Sequence, residues 1–492
     1  MDANQIEELF NRFSAGRGPD EKQDLRSSRI FAVTESPFSV WCDYHAPRSE
    51  ALREQNRYDQ AKSLMDKMSR DKIIKSRFPE VSRAPDDNKP ESFRKTLELM
   101  ASGAPAIEHP CLWDFNEHIY GRPSLIYKVE GDSVFGNYHY RIIQFKQAVE
   151  LKEHYAIQAA LLNRALGAIQ GREPEYTTIT LRYKEVEVAQ AAWNDRLDKT
   201  MAAWRDLRDD KVKPEPQRPP KAALTPWRVY ANRYAAETKD LVMLGGFAND
   251  VRGLLKAAHI NNTDEVALAG MEHMQALFGP GLGRDVYASA LAYYLNKPIL
   301  KREGLFPPQA KERNLYFDFE DADQNGSEPS HTYLIGVWDK EQSKYVAFTA
   351  HGAAEEQKIF ADFLDYIGDA SKAVLYHWTE HETKAMKNMG KKHPELAERM
   401  KAAVAACHDL KISVQKSFYL PSPSLSLKAV APALGFYWRQ SDCGAMDSMI
   451  YYWDWLSGTQ NVFQKVLMYN EDDCVAMLHV QQYLETADVQ RL

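Results

Sequence analysis

Apolar and polar positions in the C-terminal part of the chain alternate first at the strand period and then at the helix period. Asn314–Glu320 (NLYFDFE), His331–Asp339 (HTYLIGVWD) and Tyr345–Ala350 (YVAFTA) read as strands. Ala353–Gly368 (AAEEQKIFADFLDYIG) reads as a helix, Ala373–Trp378 (AVLYHW) as a further strand, and a helix is expected from near Thr379. Mainly helices follow. This order predicts an α/β or α+β domain over residues 313–492 with an antiparallel start. Upstream, LIYKVEG and NYHYRIIQFK flank a turn at Gly131–Gly136, and Leu151–Gln170 repeats apolar residues at helical spacing. Strand, strand, helix is therefore expected within residues 1–204. Residues 228–306 are helical in pattern. Between these regions, residues 205–227 carry Pro214, Pro216, Pro219, Pro220 and Pro226 among charges, which predicts a semi-rigid linker. A softer break lies near Pro307–Arg313, and no internal repeat is apparent.

Length and composition agree with this division. At about 150 residues per domain, 492 residues suggest three domains. Apolar residues at 44% and charged residues at 27% exclude low-complexity disorder for most of the length. No apolar stretch is long enough to predict a membrane span, and residues 1–30 carry charges without an apolar signal core. Five scattered cysteines exclude a disulfide framework and favour a reducing cytoplasm. The net charge of −7 argues against a surface coated in basic groups, yet it is compatible with a nucleic-acid enzyme whose metal site is acidic.

The candidate chemistry is a set of carboxylates. Asp318 and Glu320 are two apart on a strand, so they share a face. Two charges on one face of a central strand are costly unless they bind something, and divalent cations are the natural occupants. Glu380 and Glu382 fall where the strand Ala373–Trp378 hands over to a helix. In YNEDDC, Tyr469 and Asp473 are four apart and share a helical face.

This ordered set resembles the DnaQ-like (RNase H-like) exonucleases of the acidic four-residue class that carry a tyrosine. More closely, FDFE, YHW…HE, DLK…SLKA…LGF and YNEDDC resemble the YprB-like RNase H-like domain, which accompanies RecB-like nuclease modules. The resemblance covers about Asn314–Leu484. It implies Asp318, Glu320, Glu382 and Asp473 as metal-binding acids and Tyr469 as the residue that orients the attacking water. Glu382 stands where the wider superfamily has Asp. Two Mg²⁺ or Mn²⁺ ions, roughly 3.5–4 Å apart, would clamp one phosphodiester. Asp409 is a secondary candidate ligand. Asp321, Asp323, Glu471 and Asp472 read as solvated charges near the site, and His377 and His381 as structural or exposed. Lys428 is open between a substrate phosphate contact and a helix surface.

GRPSLIYKVEG, YHYRIIQFK and EHYAIQAALL resemble the core of the RecB-like PD-(D/E)xK nucleases, whose site uses Asp, then Glu-x-Lys, then a helical Gln. Here Ser124 and Gln144 replace the two acids, while Lys146 and Gln158 remain. Uncharged groups cannot replace two carboxylates at a hard cation, so this site is expected to be inactive, with Lys146 left as a possible substrate contact. Glu130 and Asp132 do not match the spacing. Related proteins also carry cysteines for an iron–sulfur cluster. Cys42 is present, but Ala222 and Thr225 stand beside Pro226-Trp227 where cysteines would be expected, so no cluster is predicted. In the middle region, DLVMLGGFANDVRGLLKAAHINNTDEVALAG, with Gly245 and Gly246 at the turn, resembles a helix-hairpin-helix, and a plain helical connector is an equal reading. A glycine would help at Ala248, and Arg252 and Lys256 read chiefly as solvated.

The expectation is an α/β protein with a degenerate PD-(D/E)xK-like N-terminal domain, a helical (helix-hairpin-helix-like) middle and an RNase H-like C-terminal domain. The resemblance implies a 3′–5′ exonuclease on single-stranded ends of DNA or RNA, without membrane attachment and with a possible protein partner for the N-terminal domain. The rival is a catalytically silent nucleic-acid-binding scaffold of a repair or defence complex.

Overall fold

The computed structural model describes residues 3–14, 23–52, 70–85, 89–216, 225–247, 249–304, 306, 311–322, 330–440, 443–459, 461–487 and 489–492. The chain divides into two compact units, Met1–Glu54 with Ala61–Tyr234, and Gln55–Gln60 with Ala235–Leu492.

In the first unit the strand–strand–helix signal folds as expected. Leu125–Ser133 and Gly136–Phe145 pair antiparallel, and the helix Glu153–Gln170 follows. Tyr176–Thr180 then pairs parallel to Gly136–Phe145, completing a strand–helix–strand crossover. The six-stranded sheet also takes in the short strands Val81–Arg83, Ala106–Glu108 and Glu185–Ala189. Leu161, Leu162, Ala165 and Leu166 of the helix are fully buried in the core.

The expected linker is partly folded. The helix Gln190–Arg208 runs through its first four residues, and 217–224 lie outside the described residues. At its far end Trp227 is fully buried in the first unit's core, and its indole donates to Asp43 at 2.7 Å. One large aromatic side chain thus ties this segment to the core despite the prolines before it, and the contact boundary falls after Tyr234.

In the second unit, Asn249–Ala257, Thr263–Ala269, Met271–Phe278 and Pro280–Leu295 form a helical region around Leu255, Val266, Met274 and Val286. Ahead of the glycine turn, Leu241–Met243 is a single 3₁₀ turn capped by Asp240. Gly246 adopts φ +92° there, and Ala248 lies outside the described residues.

Beyond the helical region lie a small three-stranded sheet of Ile299–Leu300, Phe418–Tyr419 and Gln490–Arg491, and a five-stranded sheet with helices on both faces. Its elements are β1 (Arg313–Ala322), β2 (His331–Asp339), β3 (Lys344–Thr349), α1 (Glu356–Ile367), β4 (Ala373–His377), α2 (His381–Lys392), α3 (Ala397–Ala406), β5 (Cys407–Asp409), α4 (Leu410–Ser417), α5 (Leu427–Ala433), α6 (Ala445–Leu456) and α7 (Phe463–Thr486). The strand order is β3-β2-β1-β4-β5, antiparallel across β3, β2 and β1 and parallel across β1, β4 and β5.

The alternation of β1 decides what each face does. Leu315, Phe317 and Phe319 enter the apolar core with Ile359, Phe360 and Phe363 of α1. Tyr316, Asp318 and Glu320 point to the opposite face, where Tyr316 donates its hydroxyl to Gln481 of α7 at 2.9 Å. Because β1 and β4 run parallel, their C-terminal ends lie at the same edge of the sheet. The residues just beyond β4, including Glu382 at the start of α2, are therefore delivered next to the end of β1.

Candidate metal centre in the C-terminal unit

Asp318, Glu320 and Asp473 each offer a carboxylate oxygen, and these oxygens all lie within 4.8 Å of one another. A strand and a helix distant in sequence supply them. Glu382 is buried at the start of α2, with its Oε2 3.4 Å from Thr379 Oγ1 and 3.6 Å from His377 Nδ1. It shares a cavity of about 430 Å³ with Asp318 and Asp473 but stands outside the tight group of three. Tyr469 is buried one turn before Asp473 on the same face of α7.

The electrostatics are those of an ion site. Burial raises the Asp318 carboxyl well above its ordinary value, and the neighbouring charges of Asp473, Glu320 and Glu382 raise it further. Burial and then Asp473 push Glu320 up to about 8. Burial also raises Asp473, opposed by Lys428, Trp438 and Tyr469. All three carboxyls therefore favour a proton unless a cation replaces it. The donors are oxygens, which suit Mg²⁺ or Mn²⁺, and the tight group contains no thiol or imidazole that would select zinc. The residues present fit a hard divalent cation.

Several side chains outside the acid set hold it in place. Asn470 Nδ2 donates to Asp318 Oδ2 at 3.0 Å, while its Oδ1 accepts from the Tyr345 hydroxyl at 2.9 Å. This amide lies against β2 at Gly336, where an added Cβ would meet Asn470 Oδ1 at 1.6 Å. Ser448 Oγ on α6 donates to Glu320 Oε2 at 2.7 Å. Trp438 Nε1 donates to Asp473 Oδ1 at 2.8 Å, and Lys428 Nζ reaches the same oxygen at 3.2 Å. The Lys428 ammonium lies 3.9 Å from the Tyr469 ring centroid and 4.4 Å from that of Trp438. Arg439 binds Asp472 at 2.7 Å and Glu471 at 2.7 Å, fixing the Trp438 loop on α7.

Some sequence expectations change in this light. Asp472 is buried in the Arg439 pair, a structural role and not that of a solvated charge. Glu471 also pairs with Arg439, and Asp321 pairs with His381 at 3.2 Å. Asp323 lies outside the described residues. Asp409 caps α4 by accepting from Ile412 N at 3.0 Å, which occupies it structurally. Glu380 is exposed and paired with Lys384. His377 is buried, with its ring bonded to the Thr379 carbonyl. Asn470, Gly336, Ser448 and Trp438 were not singled out from the sequence. Two signals were available. Asn470 adjoins Tyr469 inside the same motif, and Gly336 interrupts an apolar strand, a mark of close backbone or side-chain approach.

In the first unit, Ser124 Oγ donates to Gln144 Oε1 at 3.2 Å, and Lys146 Nζ donates to Gln158 Oε1 at 2.7 Å. The four residues are brought together by the strand–strand–helix geometry, but they satisfy one another without a carboxylate. Burial lowers the Lys146 ammonium to about 8. Glu130 and Asp132 are exposed, and no acid group comparable to the C-terminal one occurs in this unit among the described residues. Cys42 is buried in the apolar core, Thr225 lends its carbonyl to Arg29, and Ala222 lies outside the described residues.

Residues 315–485 match the family model RNase_H_2, of the RNase_H superfamily. The C-terminal domain is RNase H-like. No curated protein and no solved structure matches the chain. Among the described residues, no helix is long and apolar enough to cross a membrane.

Two predictions follow from this geometry. In Gly336→Ala, the new methyl group must displace Asn470, leaving Asp318 without its amide donor. Urea unfolding should show a loss of about 2 kcal/mol or more, and an unchanged midpoint would contradict the packing. The second concerns pH. Glu320 titrates near 8 in the folded, metal-free chain against an ordinary 4.5. A raised folded value stabilises only below the unfolded value, and that stabilisation is lost as pH rises through the folded one. Compared with wild type, metal-free Glu320→Gln should melt at a similar temperature near pH 5 and several degrees higher near pH 8. Thermal melts across that range, with and without Mn²⁺, check this, and Mn²⁺ should narrow the gap by stabilising wild type.

Proposed function

We propose that the RNase H-like C-terminal domain is a divalent-metal-dependent nuclease, acting as a 3′–5′ exonuclease on single-stranded nucleic acid. The observation that carries this is the convergence of Asp318, Glu320 and Asp473, with ligand oxygens within 4.8 Å, beside an open cavity. Divalent ions held by these acids would supply Lewis acidity at the phosphodiester and lower the pKa of a water.

The side chains of this chain perform the rest. Asp318 is aimed by Asn470, Glu320 by Ser448, and Asp473 by Trp438 and Lys428. Each therefore keeps an oriented oxygen for the ions. Glu382 lines the cavity beside them and would complete the acidic set. Burial and nearby carboxylates push the Tyr469 phenol far above its ordinary value. It stays protonated, and so serves as a hydrogen-bond donor that orients the attacking water, not as a base. Lys428 offsets part of the negative charge and lies where it could meet a substrate phosphate. The 3′ polarity and the requirement for an end rest on the resemblance to the DnaQ-like exonucleases.

In this reading the first unit is a nuclease shape without its metal. Ser124 and Gln144 hydrogen-bond each other where two acids would otherwise bind an ion. That leaves a surface for nucleic acid, through Lys146, or for a protein partner.

Cleavage of end-labelled DNA and RNA, single- and double-stranded, with Mg²⁺ or Mn²⁺, tests the proposal. Wild type should shorten single strands from the 3′ end. Asp318→Asn should slow this by about 100-fold or more, since even outer partners of metal ligands carry 10–100-fold effects. Lys146→Ala should cleave at the wild-type rate. Equal cleavage by wild type and Asp318→Asn would remove this site from the reaction, and none by either would leave only a nucleic-acid-binding role.

A further inference from the structure

The cavity beside the acids has a second wall of different chemistry. Asp318, Glu382 and Asp473 line one part of it, and Lys411, Ser424 and Ser426 line another. Lys411 stands in the first turn of α4 and is half-buried. Unlike Lys428, which is committed to Asp473, Lys411 forms no ion pair among the described residues. Its positive charge faces a cavity, and no carboxylate is bound to it there.

The two serines belong to the segment Pro421–Ser426 (PSPSLS), which two prolines stiffen. The Trp378 indole, at the end of the central sheet, donates to the Leu425 carbonyl at 2.9 Å and holds this segment in place. Ser424 and Ser426 are both exposed, and their hydroxyl oxygens are 3.1 Å apart. Ser424 Oγ also accepts from the Ser426 backbone N–H at 3.4 Å, and both hydroxyl protons can turn to a ligand while that contact is kept. An ammonium and paired hydroxyls suit an anion with several acceptor oxygens. The volume of about 430 Å³ is in the range of small-molecule sites.

We propose that Lys411, Ser424 and Ser426 form a phosphate subsite that takes the internucleotide phosphate adjacent to the scissile one. This rests on the nuclease reading and deepens it. A polynucleotide is an anion repeated at fixed spacing, so one linkage can meet the acids and their ions while its neighbour meets the basic wall. The subsite sets the register of the strand, and it selects a substrate of at least two linkages over an isolated phosphate ester. The acidic wall repels the same phosphate unless ions cover it, so the basic wall also gives the strand a direction in the cavity.

The test uses the full chain carrying Asp318→Asn, which slows cleavage, without added divalent metal to suppress the remainder, and a fluorescent single-stranded oligonucleotide. Binding is measured for this protein and for the same protein with Lys411→Ala, or with Ser424→Ala and Ser426→Ala together. Lys411→Ala should weaken binding about tenfold, the scale of a charge-assisted hydrogen bond. It should also flatten the dependence of log affinity on log salt by about 0.7, the value for one phosphate of a single strand. A methylphosphonate, which is uncharged, is then placed singly at each of the last linkages. At the linkage next to the terminal one it should weaken binding to the parent and leave the Lys411→Ala protein unaffected. Undiminished binding and an unchanged salt slope in Lys411→Ala would overturn the subsite, as would an equal methylphosphonate penalty in both proteins. If wild type cleaves strands normally in these cases, the nuclease reading survives alone. If no strand binds and none is cleaved, both fail. Unchanged Mn²⁺ binding and melting temperature in Lys411→Ala would exclude an indirect effect through the acids or the fold.

Discussion

Mutual repulsion among buried carboxylates is the constraint around which the C-terminal unit is arranged. Asp318, Glu320, Asp473 and Glu382 are all screened from water to a large degree, and Lys428 is the cation that offsets them. If all four acids ionise, three negative charges remain uncompensated in a low-dielectric pocket. Protons can remove that excess. Divalent ions can also remove it, and they leave the carboxylate oxygens ionised.

Such a cluster survives only if neighbouring groups fix each carboxylate. Asn470 does so at Asp318, and it reaches there because β2 has glycine at position 336. Ser448 does so at Glu320, from a helix 128 residues further along the chain. At Asp473 the indole of Trp438 and the ammonium of Lys428 share one oxygen, and the Arg439 pairs with Asp472 and Glu471 secure the loop that brings the indole in. From Leu315 to Phe319 the opposite face of β1 is apolar, packed on α1 through Phe317, Phe319 and Phe363. The burial of that face helps to offset the electrostatic cost on the other.

The first unit shows what the absence of that cost looks like. Its strand–strand–helix core brings Ser124, Gln144, Lys146 and Gln158 together, yet the hydroxyl, the amides and the ammonium satisfy one another directly. Neither of these two hydrogen bonds involves a carboxylate. The two halves of the molecule thus pair a self-satisfied polar cluster with an acid cluster that needs a cation.

The sequence by itself determined the periodic elements. The strands around Asp318 and Gly336, the helix bearing Tyr469 and Asp473, and the strand pair ending at Lys146 all fold where the period-2 and period-3.6 patterns place them. That works because such periodicity records which face of an element is buried. Acid pairs two apart on a strand, or a phenol and an acid four apart on a helix, share a face through local geometry alone. The strand order was beyond reach of these patterns, and with it the parallel alignment of β1 and β4 that sets Glu382 beside Asp318. So were the burial of Asp472, the capping role of Asp409 and the docking of Trp227 past a proline-rich stretch. Each depends on a partner distant in sequence. Only tertiary packing decides whether a charge meets water, an arginine or another carboxylate.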